Sequence, residues 1–330
     1  MRIFPSLGKL FDIAEDSKPS SLFFPTGIKR FDEAMDGGLR DGELVIVSGP
    51  TGMGKTTFMQ NLTMNYHNVE VPSIWFSHEM DPWYLKEKFV KIGSDETLLT
   101  YIPNDGIDST IDYMERKIVE GNEDYLTKIV FIDHLHYLIP MSSAQNSSLM
   151  IGGVVRELKK LAIRTKSIII LAAHTKKIYA DEEISLNSIR DSALIANEAD
   201  FVFLVERLKN EKIRGNKPLT SKLNKEIPEW TNTSKVQLAK NRRTGILCYK
   251  LFEVSDNKFI DEDEKTKTIE KLKDTRRQNG LFGISKRISK TRRKLFDDDS
   301  EREHRKKKVS VSSSRFLDRD KRKSRKKRMD

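Results

Sequence analysis

The sequence predicts an α/β fold with a mostly parallel central sheet flanked by helices, a terminal β-hairpin and a basic C-terminal tail. Three observations lead there. Across residues 23–260, short β-branched or aromatic apolar runs alternate with longer helix-like patterns, the order that builds parallel sheets with crossover helices. Several of those runs are apolar almost without a break, as strands covered on both faces are. The last two runs, within 236–239 and 247–254, bracket Arg243-Thr244-Gly245 and read as a hairpin.

Residues 1–22 form a leader in which Phe4, Leu7, Leu10 and Phe11 give a helix over 3–13 an apolar stripe. The strands are expected at 43–48, 73–77, 128–133, 167–172, 201–206 and 234–239. Helices are expected at 56–67 and 149–165. In the second, Ile151, Val154, Val155, Leu158, Leu161 and Ala162 recur at helical spacing. The polar stretch 207–233, rich in Lys, Asn and Pro, reads as a surface insertion before the hairpin. Residues 261–330 are low in large apolar residues and read as disordered or as a lone charged helix. No repeat of solenoid period occurs.

Charge is divided unevenly between these parts. The 330 residues carry a formal net charge of +11, yet residues 261–330 alone hold 26 Lys+Arg against 14 Asp+Glu. The remaining 260 residues, 34 basic against 35 acidic, are close to neutral and numerous enough to bury one large α/β core. The single cysteine, Cys248, excludes an internal disulfide framework and a cysteine-rich zinc site. No run approaches the roughly 18 apolar residues of a membrane helix, and the start lacks an apolar signal core. Secreted, membrane-spanning and collagen-like classes are excluded. A cytoplasmic or other reducing compartment is expected.

The strongest motif is Gly49-Pro50-Thr51-Gly52-Met53-Gly54-Lys55-Thr56, a complete G-x-x-x-x-G-K-T match between an expected strand and an expected helix. Glycines let the backbone close around phosphates, whose charge the loop N–H groups and the helix N-terminus stabilise. Lys55 reaches the β- and γ-phosphates, the Thr56 hydroxyl holds Mg²⁺, and Thr57 belongs to the same nucleotide-binding segment. A carboxylate ending a neighbouring buried strand completes the metal shell, and Asp133, after Ile129-Val130-Phe131-Ile132, supplies it. ATP and Mg²⁺ are the expected ligands. Hydrolysis also needs a group to orient water. Glu79 lies just past the strand at 73–77, with Asp81 and Glu87 as rivals that spacing does not eliminate. His174 follows another strand end, where a polar side chain could touch the γ-phosphate or simply occupy a turn. His134 and His136 invite a zinc reading, but the two are expected to face opposite sides of their segment, which speaks against it.

Taken in order, these motifs resemble the RecA-like motor domain of DnaB-type hexameric replicative helicases, with the flavour of phage primase–helicases and the mitochondrial helicase Twinkle. The resemblance covers residues 23–260. Thr26-Gly27 and Phe31-Asp32 precede the P-loop. Phe76-Ser77-His78-Glu79-Met80 and Ile132-Asp133-His134-Leu135 follow it. Then come Ala173-His174, Ile189-Arg190-Asp191-Ser192 and, last, Lys240-Asn241-Arg242. The resemblance implies that Glu79 positions the attacking water, that His174 senses the γ-phosphate, and that Arg242, with Lys240 beside it, acts as an arginine finger in a neighbour's ATP site. Lys176, Lys177 and Arg190 would face a central channel and hold single-stranded DNA by its phosphates. A homo-hexamer, a primase or loader protein as partner, and no membrane contact are implied. Ala193 departs from the Gly that relatives often carry. A collar or primase domain is not expected within this chain, and the leader helix would dock on its own domain or on an adjacent subunit. A non-unwinding RecA-like ATPase, either a recombination mediator or a KaiC-like regulatory ATPase, remains the alternative.

Overall fold

A computed structural model describes residues 22–95, 97–103, 110–139, 147–176, 184–189, 192–209 and 230–261. The expected leader helix, the basic tail, Lys177 and Arg190 lie outside these residues, as does the middle of the expected insertion.

Nine strands form one sheet in the order β3-β2-β4-β5-β1-β6-β7-β8-β9. The first six are parallel: β1 (Leu44–Gly49), β2 (Ser73–Ser77), β3 (Thr100–Tyr101), β4 (Ile129–Asp133), β5 (Ile168–His174) and β6 (Phe201–Lys209). The antiparallel edge is β7 (Trp230–Asn241), β8 (Cys248–Ser255) and β9 (Lys258–Ile260). The α/β class, the parallel centre and the terminal hairpin are therefore as the sequence led us to expect.

The side-chain period of two sends alternate residues of each strand to opposite faces. Val45, Val47, Trp75, Phe131 and Phe203 face one core, covered by α1 (Lys29–Ala34), α2 (Lys55–Asn68) and α3 (Pro82–Lys91) through Phe31, Phe58, Leu62 and Phe89. Leu44, Ile46, Phe76, Ile132 and Leu171 face the other. It is covered by α4 (Ile111–Asp124), α5 (Ser147–Thr165) and α6 (Ser192–Glu198). Continuous apolar strands thus have a partner layer on each side. Trp75 shows how tightly the first core is specified. Its ring stacks on Phe131 at 4.9 Å and meets Phe89 edge-on at 5.6 Å, while its indole N–H donates to Thr63 Oγ1 at 2.9 Å. The one polar atom of a buried aromatic is thereby satisfied.

Some boundaries differ from expectation. The strand expected at 167–172 runs on to His174, and β6 and β7 extend into both ends of the expected insertion, to Lys209 and from Trp230. Two-residue β3 carries too short a signal to be read. The turn Asp256-Asn257, with φ of 51° and 61°, folds β9 back on β8; both residues tolerate that left-handed backbone, as a tight hairpin requires. Among the described residues, no helix is long and apolar enough to cross a membrane.

Parallel strands end together, and this positions the site. Gly49 is in register with His174, and Ser77 with Asp133. The His78 N–H donates to the Asp133 carbonyl at 2.8 Å, tying the exits of β2 and β4.

Candidate active site

The loop after β1 is built for close approach. A Cβ on Gly49 would collide with the Val205 carbonyl oxygen of β6, so only glycine fits there. Gly54 caps α2 from the left-handed region at φ 98°. Lys55 Nζ folds back to donate to the carbonyls of Gly49 and Pro50 at 3.0 and 3.1 Å. Burial lowers the Lys55 pKa, against the opposing pull of Asp133 and Glu79. Thr56 Oγ1 donates to Asp133 Oδ2 at 2.7 Å, which joins the P-loop to β4. A hydroxyl and a carboxylate in contact form an oxygen donor set that suits Mg²⁺. Asp133 is 1% exposed. Burial raises its pKa, the Thr56 hydrogen bond opposes this, and the nearby Glu79 charge adds to the rise.

The three rival carboxylates separate by position. Asp81 caps α3, accepting the Trp83 N–H at 2.8 Å. Glu87 lies on the outer flank of α3 with Trp83, Val90 and Lys91. Glu79 is the one beside Asp133: a ligand atom from each of Glu79, Asp133 and His134 lies within 4.8 Å of the other two. Its Oε2 is 3.3 Å from His134 Nδ1.

The histidines require a correction. His134 and His136 were expected to face opposite ways, but residues two apart in extended chain share a face. His134 is still extended, a cis peptide links it to Asp133, and a 3₁₀ turn, Leu135–Leu138, follows. The two rings lie together at the exit of β4. Their centroids are 5.5 Å apart, and each packs on His174, at 4.2 Å from His134 and 5.5 Å from His136. Burial, with His134 adding to it, lowers the His78 pKa. His174 is the last residue of β5, level with Gly49.

Lys240 and Arg242 lie at the other edge of the sheet. Lys240 Nζ donates to the carbonyls of Ala196 and Ala199 at the end of α6, the second at 2.8 Å. Burial lowers its pKa and the adjacent Arg242 charge adds to that. Arg242 donates to the Asn197 carbonyl and to Asp200 Oδ1, the latter at 3.3 Å. Asp200 precedes β6 beside Leu44, the first residue of β1. Five residues of strand at about 3.3 Å each put roughly 17 Å between this corner and Gly49. Arg243, next in line, is fully engaged elsewhere, pairing with Glu43 and donating to the Met35 and Gly38 carbonyls. Lys176 is exposed, and its N–H donates to the Ser188 carbonyl at 2.8 Å.

One part of the site was not read from the sequence. A pocket of about 280 Å³ opens beside the P-loop, lined by Gly52, Thr57, Arg207, Ser234, Asn257 and Phe259 among others. The Phe259 ring lies 5.5 Å from Phe58 and 5.5 Å from Phe252. The Asp256-Asn257 dipeptide between apolar runs was the available signal for this turn.

Comparisons with known proteins agree with this geometry. Residues 24–175 match the family model described as "ATPase: KaiC". The replicative DNA helicase DnaB of Pasteurella multocida (strain Pm70) is 25% identical over 219 residues, 55% of this chain and 46% of that protein. A solved structure of a DnaB-like replicative helicase, described with its interactions with primase, superposes with a TM-score of 0.59 at 18% identity, covering 79% of this chain and 67% of that one. A second solved structure, described as an ATPase domain, gives 0.60 at 17% identity over 78% of this chain and 97% of that one. The fold is RecA-like, and the sequence is similar to DnaB-type replicative helicases. It spans about half the length of the curated relatives it matches. The KaiC match ends just past His174, so the corner bearing Lys240 and Arg242 lies beyond it.

Proposed function

We propose that the chain is the motor of an ATP-dependent replicative DNA helicase, hydrolysing ATP at the subunit interfaces of a homo-hexameric ring and moving along single-stranded DNA to unwind duplex. The observation that carries this reading is the separation of Lys240 and Arg242 from Lys55 and Asp133. Two cations about 17 Å from their own P-loop are out of reach of that nucleotide, which supports a role toward the nucleotide of a neighbouring subunit.

In this reading the loop amides and Lys55 bind the β- and γ-phosphates, while Thr56 and Asp133 hold Mg²⁺. The ion would draw charge from the phosphate oxygens. Glu79, with His134 against its carboxylate, orients the attacking water, and His174 contacts the γ-phosphate. Arg242 and Lys240 of the next subunit neutralise the charge that develops on the transferred phosphoryl group. Arg207 and Phe259 line the space for base and ribose. Lys176, with Lys177 and Arg190, holds DNA phosphates, and the basic tail adds non-specific, salt-sensitive affinity. A primase or loader protein is the partner we propose, in the compartment that holds the DNA.

Mixing tests the interface. Arg242→Ala and Lys55→Ala proteins, each inactive alone, are expected to regain DNA-stimulated ATPase when combined, because one supplies an intact P-loop and the other an intact finger. Absence of any gain at all mixing ratios refutes hydrolysis in trans. The match to the KaiC ATPase model favours a second reading, a RecA-like ATPase that assembles without unwinding. Rings that turn over ATP on single-stranded DNA yet leave a forked duplex intact would establish it.

A further inference from the structure

We propose that Glu79 and His134, with Asp133 beside them, form a binding site for a zinc-class divalent ion, and that its arrival arrests ATP turnover. The chain has six histidines, and four of them, His78, His134, His136 and His174, gather at the exits of β2, β4 and β5. His134 is the hub. It packs against His174, His136 and Tyr137, and Tyr137 in turn lies 6.4 Å from His78. The hydroxyl–carboxylate pair Thr56–Asp133 is an oxygen site suited to Mg²⁺, whereas imidazole nitrogen beside carboxylate selects borderline transition ions.

The spacing fits. Zn–N and Zn–O bonds near 2.0–2.1 Å at a tetrahedral angle set two donor atoms about 3.3–3.4 Å apart. Glu79 Oε2 and His134 Nδ1 stand 3.3 Å apart. A ligand atom of Asp133 lies within 4.8 Å of both; rotation of the half-exposed Glu79 side chain adjusts its own distances, and a small shift of the Asp133 or His134 side chain must close the rest. Three protein donors and one water make the open type of zinc site. The 44% exposure of the Glu79 side chain provides a path for the ion from solvent.

An ion here occupies the lone pairs of Glu79 that would otherwise orient water. The arrest rests on the role proposed above for Glu79; the binding does not. Lys55 and the glycine loop are untouched and still meet the phosphates, while Asp133 is shared with the proposed Mg²⁺ site.

The test uses the full chain and Co²⁺ as a spectroscopic substitute for Zn²⁺. Without nucleotide, one Co²⁺ per chain is expected to give intense tetrahedral d–d bands that Zn²⁺ displaces. His134→Ala should weaken binding at least about 10–100-fold, since even supporting residues of metal sites cost that much. Glu79→Gln, at an exposed position where folding is not in question, should do the same. Absent bands, or bands that persist in both variants, overturn the site. In the second arm, micromolar Zn²⁺ in excess Mg²⁺ and ATP is expected to lower kcat of the wild-type chain. It should not slow His134→Ala protein further, whatever that variant's own rate. Equal inhibition of both overturns the arrest, because the zinc would then be acting on the nucleotide. Binding without inhibition overturns it too.

Discussion

Asp200 is the side chain whose removal tests the packing logic most directly. Its Oδ2 accepts the Leu44 N–H at 2.8 Å and Lys159 Nζ at 2.6 Å, and its Oδ1 accepts Arg242 at 3.3 Å. Leu44 is fully buried, and the Lys159 and Asp200 side chains are 18% and 11% exposed. In Asp200→Ala the Leu44 amide has lost its acceptor, worth about 1–3 kcal/mol. The Lys159 charge has lost its partner, and breaking a buried pair costs about 3–5 kcal/mol. These terms overlap, and Lys159 keeps the Gly42 carbonyl at 2.7 Å. The Arg242 contact, half exposed, adds little. The expected sum is about 3–5 kcal/mol. Asp200→Asn retains an acceptor for Leu44 and loses only the charge, so about 1.5–3 kcal/mol is expected. Urea unfolding of the two variants at neutral pH measures both. A cost for Asp200→Ala near the roughly 0.5 kcal/mol of an ordinary surface change would refute the reasoning. Equal costs for the two variants would remove the amide from the account.

Other expectations follow from the same contacts. Gly49→Ala must push β1 from β6 to relieve the collision with the Val205 carbonyl, costing at least about 1–3 kcal/mol in a thermal melt and abolishing nucleotide binding. Trp75→Ala, which removes a fully buried ring stacked on Phe131, should cost about 3–5 kcal/mol in the same assay. Phe259→Ala should raise KM for ATP more than it lowers kcat, since its ring lines the pocket and stands apart from Asp133; the reverse pattern in steady-state kinetics would exclude it from the base pocket. Burial raises the Asp133 pKa above 3.8, so the ionised, Mg²⁺-holding form is present above that raised value and lost as pH falls through it. Mg²⁺-dependent binding of a fluorescent ATP analogue should therefore fail at a higher pH than an ordinary carboxylate dictates. Glu79→Gln, which removes a neighbouring negative charge, should move the failure to lower pH.

What could be read in advance was what is local. The P-loop is eight consecutive residues, and its glycines, lysine and threonine act where they stand. The parallel core was legible because strands covered on both faces lose their polar positions, as Ile129-Val130-Phe131-Ile132 does. The placement of Glu79 beside Asp133, apart from Asp81 and Glu87, needed three dimensions, since only the structure shows Asp81 spent on the α3 cap. The pairing of His134 with His136 was misread because the strand period was misapplied: residues two apart in extended chain share a face, and the 3₁₀ turn begins only at Leu135. Arg207 and Phe259 meet the P-loop across some 150 to 200 residues of sequence, beyond any periodic signal.

The hydrogen bonds at the end of α6 carry a mechanical meaning. Ala196, Asn197 and Ala199 offer their carbonyls to Lys240 and Arg242, two cations where β7 gives way to its turn. That same helix starts directly after the segment holding Arg190. Whatever shifts α6 along its axis must either break these bonds or drag both cations with it. In the ring proposed above, a shift of α6 would arrive, through one short rigid rod, as a displacement of charge at the next subunit's nucleotide.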